Sequence, residues 1–142
     1  DGSKNKLRQN AAIGGTDYGF ATNPVAEGNS LSSNEALGNA DDGFADGGRS
    51  TFLKGNLAVG NGGNGIYTTG SFVRIVKNRV ERSGESGIRV FGQQRALVAR
   101  NTSLSNNQRG ESGFYDLRDG AGCPTNRWRA NVFLTANQSC IQ

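Results

Sequence analysis

The side chains available for chemistry in this chain form a restricted set, because the sequence contains no His and no Met. Without imidazole, the commonest general base is missing, and a triad of Ser, His and Asp and most zinc sites are excluded. Carboxylate, Lys, Arg, Tyr and Ser chemistry remains. The densest acidic cluster is formed by Asp41, Asp42 and Asp46.

A repeat that runs through the chain must position these side chains. An Asn recurs with an apolar residue three positions before it and a mostly small residue two positions after it. The intervals between successive Asn anchors are 24, 22, 22, 23 and 30 residues. Self-similarity at this period is typical of a solenoid. The anchors are Asn10, Asn34, Asn56, Asn78, Asn101 and Asn131.

Short strands explain the repeat, whereas helices do not, because Gly interrupts every candidate helical segment. The pattern predicts an all-β fold, a parallel β-solenoid of about six coils with about 22 residues per coil. Each Asn anchor is expected to adopt the left-handed conformation at a corner and to pass amide hydrogen bonds along a ladder. Such a fold also explains a chain of 142 residues with 22 Gly and only 34% hydrophobic residues, since each short strand needs few apolar side chains.

Basic residues concentrate on one side of the predicted strands. Positions two and four before each anchor alternate with the inward apolar residue and should face solvent. Two interpretations stay open: a groove for an acidic polysaccharide, or a charged face that prevents edge pairing. Nucleic acid is not expected, because no aromatic residues interleave with these charges. Half of the positions are cationic, namely Lys6, Arg8, Lys54, Arg74, Arg127 and Arg129.

Two tyrosines are further candidates for ligand binding. Tyr67 and Tyr115 are predicted to occupy the outward slot after a Gly-apolar pair, where they would either stack on sugars or simply suit an exposed strand. The irregular segment between the last two anchors is the other candidate region, because loops on a rigid scaffold often bind ligands. Its candidates are Arg109, Glu111, Tyr115, Asp116, Arg118 and Asp119.

The pattern Asn-x-small-x6-Gly-[Phe/Ile], at a period of 22 to 24 residues from Leu7 to Gln142, resembles the repeat of pectate-lyase-like parallel β-helix proteins. The resemblance implies a right-handed β-helix. It does not imply one function, because the same coil carries lyases, hydrolases, epimerases and adhesins. The ending resembles the terminal coil of secreted bacterial members, through Cys123, Asn126, Trp128, Asn131, Phe133, Cys140 and Ile141.

The same resemblance suggests how the acidic cluster would act in an enzyme. In pectate-lyase-like enzymes an acidic trio holds Ca²⁺ at the substrate carboxylate and an Arg or Lys is the base. This marks Asp41, Asp42 and Asp46 as weak candidates, with Arg74 and Lys77 as a loose match to the basic pair. Solvated Asp residues are also common in such turns. Apart from Ca²⁺, no cofactor or metal is expected, and a non-enzymatic role is favoured over polysaccharide lyase-like activity.

The two cysteines point to an oxidising compartment. Cys123 and Cys140 lie 17 residues apart and bracket the last anchor. A disulfide would staple the last coil and contribute about 3 kcal/mol through loop closure. Such a disulfide predicts an extracellular, secreted protein. The alternative is that both cysteines are free buried thiols in a cytosolic protein.

We expect a single β-solenoid domain over residues 1–142, with a lead-in at 1–6, repeating coils at 7–122 and a capping coil at 123–142. No apolar run is long enough to span a membrane. The polar start is too short for a capping helix, so the N-terminal end is expected to dock on an adjacent β-helix coil or on a second copy. The leading hypothesis is an extracellular structural or interaction solenoid that stacks into a filament. The alternative is the C-terminal part of a polysaccharide lyase- or hydrolase-like enzyme, or a binding protein, for acidic polysaccharide.

Overall fold

A computed structural model describes residues 2–92, 94–122 and 125–142. Within these ranges the chain forms 17 strands, almost all of three residues. Within each sheet, a strand pairs in parallel with the strand that lies three places away along the chain, which gives three sheets. This topology confirms the parallel β-solenoid.

The three sheets, named A, B and C, take strands in strict rotation. Sheet A contains β1 (Lys6–Arg8), β4 (Ser30–Ser32), β7 (Phe52–Lys54), β10 (Arg74–Val76), β13 (Leu97–Ala99) and β16 (Arg127–Arg129). Sheet B contains β2 (Ala11–Ile13), β5 (Glu35–Leu37), β8 (Leu57–Val59), β11 (Arg79–Glu81), β14 (Thr102–Leu104) and β17 (Val132–Phe133). Sheet C contains β3 (Phe20–Thr22), β6 (Phe44–Asp46), β9 (Ile66–Thr68), β12 (Ile88–Val90) and β15 (Leu117–Asp119).

The regular part of the solenoid has about four turns, which corrects the prediction of about six equivalent coils. Successive Asn anchors are separated by 24, 22, 22 and 23 residues, and the final step takes 30. The last step is longer because the chain makes an excursion between β14 and β15 before it rejoins the sheets. The regular turn is therefore about 23 residues, as the first four intervals indicate.

The core consists of columns of like residues stacked along the solenoid. Sheet A contributes large aliphatic side chains such as Leu53 and Ile75, both at most 1% exposed, and sheet B contributes small ones such as Ala36 and Ala58. Burying one Leu or Ile side chain stabilises the fold by about 1.5–3 kcal/mol. Trp128 in β16, only 6% exposed, ends the sheet A column.

The Asn anchors form a continuous hydrogen-bonded ladder at the corner between sheets A and B. Each Nδ2 donates to the Oδ1 of the next anchor over 3.0–3.2 Å, and each backbone N–H donates to the same oxygen. The expectation that the Asn itself adopts the left-handed conformation is wrong. The preceding residue has the positive φ, which turns the chain and directs the Asn amide into the corner: Gln9, Ser33, Gly55, Lys77, Arg100 and Ala130.

The final turn is organised by Asp119, which lies in sheet C and is 1% exposed. Its carboxylate accepts hydrogen bonds from Trp128 Nε1 at 2.8 Å and from Asn126 Nδ2 at 3.0 Å. The buried carboxylate thus fixes the indole over the end of the core.

The predicted disulfide falls partly outside the described residues, because Cys123 is not among them. Cys140 is half-buried and packs against the core. The Cys123–Cys140 pairing therefore stays a prediction. In the described ranges, no helix has the length and apolar character required to cross a membrane.

Candidate binding site on the outer face of sheet C

The outward residues of sheet C change from small to large along the solenoid. Ala21, Ala45, Tyr67, Arg89 and Arg118 lie in register on successive strands, so two small side chains are followed by three large ones. A cleft of about 200 Å³ lies above the two alanines. We call it the C-face cleft, and its lining consists of Tyr18, Ala21, Thr22, Pro24, Ala45, Asp46, Gly47, Tyr67 and Thr69.

Two arginines continue this face beyond Tyr67, and aromatic rings hold both of them. The Arg89 guanidinium lies over the ring of Tyr67 at 5.1 Å from the centroid and over Phe91 at 5.6 Å. The Arg118 guanidinium lies over Phe114 at 5.6 Å. Cation–π contacts of this kind order the guanidinium without using its N–H donors. Within the described residues neither arginine forms an ion pair, so these donors are available to a ligand.

Placing two cations on adjacent strands has an electrostatic cost. The pKa of Arg118 is lowered, first by its partial burial and then by the charge of Arg89. A bound anion between the two side chains would relieve this repulsion and restore favourable interactions to both. The pair therefore has the character of an anion site.

An acidic turn between sheets B and C borders the cleft. Asp42 is 5% exposed, and burial raises the pKa of its carboxyl to about 6, helped by repulsion from Asp41 and Glu85. Hydrogen bonds from the Asn64 backbone N–H and Nδ2 to Asp42 Oδ1 oppose that rise. Asp41 is also the main cause of the raised pKa of Tyr18, which places the Tyr18 hydroxyl in a negative field beside the cleft. This turn favours cations and protonated groups, whereas the arginine pair favours anions.

The acidic trio proposed from the sequence does not come together. Asp41 and Asp42 lie on the turn, but Asp46 points into the core, where it accepts hydrogen bonds from the hydroxyls of Thr22 and Thr68. In the described part of the chain, no group of three His, Cys, Asp or Glu side chains could hold a metal ion. The inward position of Asp46 follows from strand alternation after Phe44, a signal already present in the sequence.

The basic candidates lie elsewhere. Arg74 projects from sheet A and Lys77 sits at the corner between sheets A and B, so neither accompanies the acidic turn between sheets B and C. All six cations predicted to face outward from sheet A are exposed, but Ser, Phe, Leu, Val and Ala residues separate them along both columns. The predicted basic stripe is therefore broken into separate patches.

The loop insertion changes which residue completes the sheet C column. The sequence pattern placed Tyr115 in the outward slot, but β15 begins at Leu117, so Arg118 occupies it. Tyr115 is half-buried beside the column. Asp116 and Asp119 are buried and hydrogen-bonded, hence structural, and Arg109 forms an ion pair with Glu85 at 3.1 Å.

Sequence reasoning missed Tyr18, Phe91 and Phe114. Tyr18 precedes Gly19 as Asp42 precedes Gly43 one turn later, so the repeat already places Tyr18 on the turn equivalent to that of the acidic residues. Phe91 follows β12 directly, at a position that the strand pattern left unassigned. Phe114 belongs to the irregular segment, and its contact with Arg118 depends on the length of the insertion.

Comparison with known proteins then assigns the chain to a family. A family model described as periplasmic copper-binding protein (NosD) matches residues 1–141. The chain belongs to the NosD family. No curated protein sequence gives a significant match to it.

This NosD-family chain also resembles solved structures. The crystal structure of the periplasmic alginate epimerase AlgG is similar to it with a TM-score of 0.74 and 15% sequence identity, over 94% of this chain and 34% of the epimerase. A point mutant of the same enzyme gives the same values. At this identity the likeness shows the fold alone, and the chain spans only about a third of the epimerase.

The copper in the family description does not match the donor groups of this chain. Copper sites use imidazole, thiolate or thioether ligands. The chain has no His, no Met and only two Cys, of which Cys140 packs against the core and Cys123 lies outside the described residues. These residues do not fit a copper site, and we assign no copper chemistry to them.

Proposed function

We propose that this NosD-family chain is a β-solenoid that binds an acidic, uronate-type polysaccharide across the outer face of sheet C. The observation that carries the proposal is the pair of adjacent arginines, Arg89 and Arg118, without ion-pair partners among the described residues and next to Tyr67. A guanidinium binds a carboxylate through two parallel hydrogen bonds. Parallel strands lie about 4.8 Å apart, which is comparable with the length of one sugar unit, so neighbouring arginines suit neighbouring uronates.

The C-face cleft supports the sugar part of this ligand, through its aromatic rings. Tyr18 is 45% exposed and lines the cleft together with Tyr67, Ala21 and Ala45. Aromatic faces of this kind suit the apolar faces of sugar rings. The fold likeness to a protein named as an alginate epimerase agrees with this class of ligand.

The cellular compartment of the chain is inferred from its family and its fold. A family described as periplasmic, together with a fold likeness to a periplasmic enzyme, supports a secreted or periplasmic setting. We infer that the chain meets its polysaccharide in that compartment.

Replacing Arg118 by Gln is expected to weaken binding of oligouronates at least tenfold, because a hydrogen bond to a charged group contributes about 1.5–3 kcal/mol. Arg89→Gln should have a similar effect. Isothermal titration calorimetry with oligogalacturonate and oligoguluronate measures both. Arg127→Gln, which removes an equal charge from the exposed face of sheet A, is the matched control and should change the affinity less than twofold. Equal weakening in all three variants would indicate nonspecific charge attraction and contradict the site.

A catalytic role is the second candidate, favoured by the raised pKa of Asp42, whose charge also acts on the cleft residue Tyr18. A carboxyl with a pKa of about 6 can exchange protons near neutral pH. If the chain is part of a lyase or a similar enzyme, polyuronates should yield unsaturated products that absorb in the ultraviolet, with or without Ca²⁺. Binding without any turnover by the full protein would leave the binding role alone.

Self-association is a separate candidate, favoured by an apolar opening at one edge of the three sheets. Within the described residues, β1, β2 and β3 each have a partner strand on one side only. An opening of about 230 Å³ there is lined by apolar residues including Leu7, Phe20 and Leu31. A parallel coil, from a second copy or from a preceding part of a longer chain, would extend all three sheets and cover this opening.

Light scattering coupled to gel filtration tests the association over a range of concentrations. We expect the mass to rise with concentration and Phe20→Lys to abolish the rise. The control Val25→Lys, an exposed residue outside this opening, should leave the rise intact. A constant monomer mass would remove this candidate without affecting the polysaccharide site.

A further inference from the structure

A second depression lies on sheet A, away from the cleft. In sheet A, the outward positions of β4 and the corner that follows it are all serines: Ser30 and Ser32 in β4 and Ser33 at the corner. Longer side chains flank this turn, because Ser32 pairs with Arg8 on one side and Lys54 on the other. The result is a groove of about 420 Å³. We call it the A-face groove, and its lining consists of Arg8, Ser30, Ser32, Ser33, Phe52, Lys54, Gly55 and Lys77.

The groove carries positive charge that the protein does not neutralise. Arg8, Lys54 and Lys77 are exposed, and among the described residues none of them forms an ion pair. Glu35 lines an adjoining depression that shares Ser33 with the groove, but it does not line the groove itself. Three positive charges therefore face the groove and no carboxylate lines it.

The hydroxyl groups on the groove floor are free to donate. Over the described ranges, no side-chain hydrogen bond is formed by Ser30, Ser32 or Ser33. The one aromatic ring in the groove, Phe52, is covered by the Arg74 guanidinium at 5.1 Å from its centroid. The groove thus offers donors and cations but no open aromatic face for a sugar ring.

We propose that the A-face groove binds a phosphate group. A phosphate monoester carries nearly two negative charges and three terminal oxygens, and it accepts hydrogen bonds in three directions. Cations stand on both sides of the floor. Arg8 and Lys54 lie two strands, or about 10 Å, apart at their backbones, and Ser32 lies in register between them. A carboxylate, with two coplanar oxygens, would use only part of this donor set. The site is independent of the polysaccharide site on sheet C.

Titration of the ¹⁵N-labelled protein tests the site, with inorganic phosphate, glucose 6-phosphate, glucuronate and glucose as probes. We expect saturable shifts of the amides of Ser30, Ser32 and Ser33 with both phosphates and none with glucose. The double variant Lys54→Gln with Lys77→Asn should weaken phosphate binding at least tenfold. Asn is chosen at position 77 because Lys77 has a φ of 58°, which Asn tolerates. Lys6→Gln removes a charge from the same sheet outside the groove and should have less than a twofold effect.

The probes distinguish the outcomes. Tighter binding of glucose 6-phosphate than of inorganic phosphate would support an esterified ligand, and equal binding would support free phosphate. Equal shifts with glucuronate, shifts that do not saturate, or an unaffected double variant would each overturn the phosphate site. Arg118→Gln should leave these shifts unchanged, so the two sites fail or succeed separately. All three lysines are exposed, so thermal unfolding of each variant should match the parent protein.

Discussion

Replacing Asn56 by Ala is expected to lower the free energy of unfolding by about 3–5 kcal/mol, because the substitution removes the centre of the Asn ladder. The Asn56 Oδ1 accepts the Asn34 backbone N–H at 2.9 Å and its Nδ2 at 3.2 Å. The Asn56 Nδ2 donates to the Leu31 carbonyl at 2.9 Å and to Asn78 Oδ1 at 3.0 Å. Asn56 and both neighbouring anchors are at most 2% exposed, so water cannot replace these bonds. Each buried polar group left unpaired costs about 1–3 kcal/mol.

Urea unfolding followed by circular dichroism measures this loss. The control is Asn10→Ala at the first step of the same ladder, where the side chain is exposed and donates to the Arg8 carbonyl and to Asn34 Oδ1. That variant should lose less than about 1 kcal/mol, because solvent can replace an exposed partner. Similar losses in the two variants would show that burial of the ladder is not what makes it stabilising.

Replacing Asp42 by Asn is expected to stabilise the protein at pH 7.5 by about 3 kcal/mol or less, since each tenfold difference in proton affinity between the folded and unfolded states corresponds to about 1.4 kcal/mol. The folded-state pKa of Asp42 is about 6 and the ordinary value is 3.8, so the folded state binds the proton more tightly. Stability from this group is therefore full below about pH 4 and falls as the pH rises through 4 to 6. An Asn at this position keeps an oxygen for the Asn64 backbone N–H and removes the repulsion with Asp41 and Glu85.

The pH dependence of the difference between the two proteins provides the measurement. The gain from Asp42→Asn should shrink toward zero at pH 4, where Asp42 is protonated in the folded state. The control is Asp17→Asn, which replaces an exposed acid on the preceding coil and changes the net charge equally. Its effect on the free energy of unfolding should depend little on pH. A destabilised Asp42→Asn variant at pH 7.5 would mean that the charged carboxylate contributes to the turn rather than straining it.

Most of the fold was predictable, because the contacts in a solenoid join residues one turn apart. Leu31, Leu53 and Ile75 recur at the same offset from the anchors, and the structure stacks them in one buried column. The count of coils was less predictable. The Gly-[Phe/Ile] step of the repeat recurs at Gly113 and Phe114, but the chain reaches sheet C only at Leu117.

The candidate sites were predictable only in part. The outward position of Tyr67 followed from strand alternation, and so did the exposure of the sheet A cations. Alternation also predicts that Asp46 faces the core, which separates it from Asp41 and Asp42, whereas the resemblance to lyases grouped the three. The separation of Asp42 from Arg74 and Lys77 needed the path of the chain around the solenoid.

The sequence by itself determined the repeat, the parallel strands, the Asn ladder and the choice of small or large residues in each core column. These features depend on one residue type recurring at one offset, and stacking converts that offset directly into contact. Only the tertiary structure decided that Arg118 lies beside Arg89. That contact depends on which residues of different turns share a register, and the insertion before β15 shifts the register and changes the neighbours.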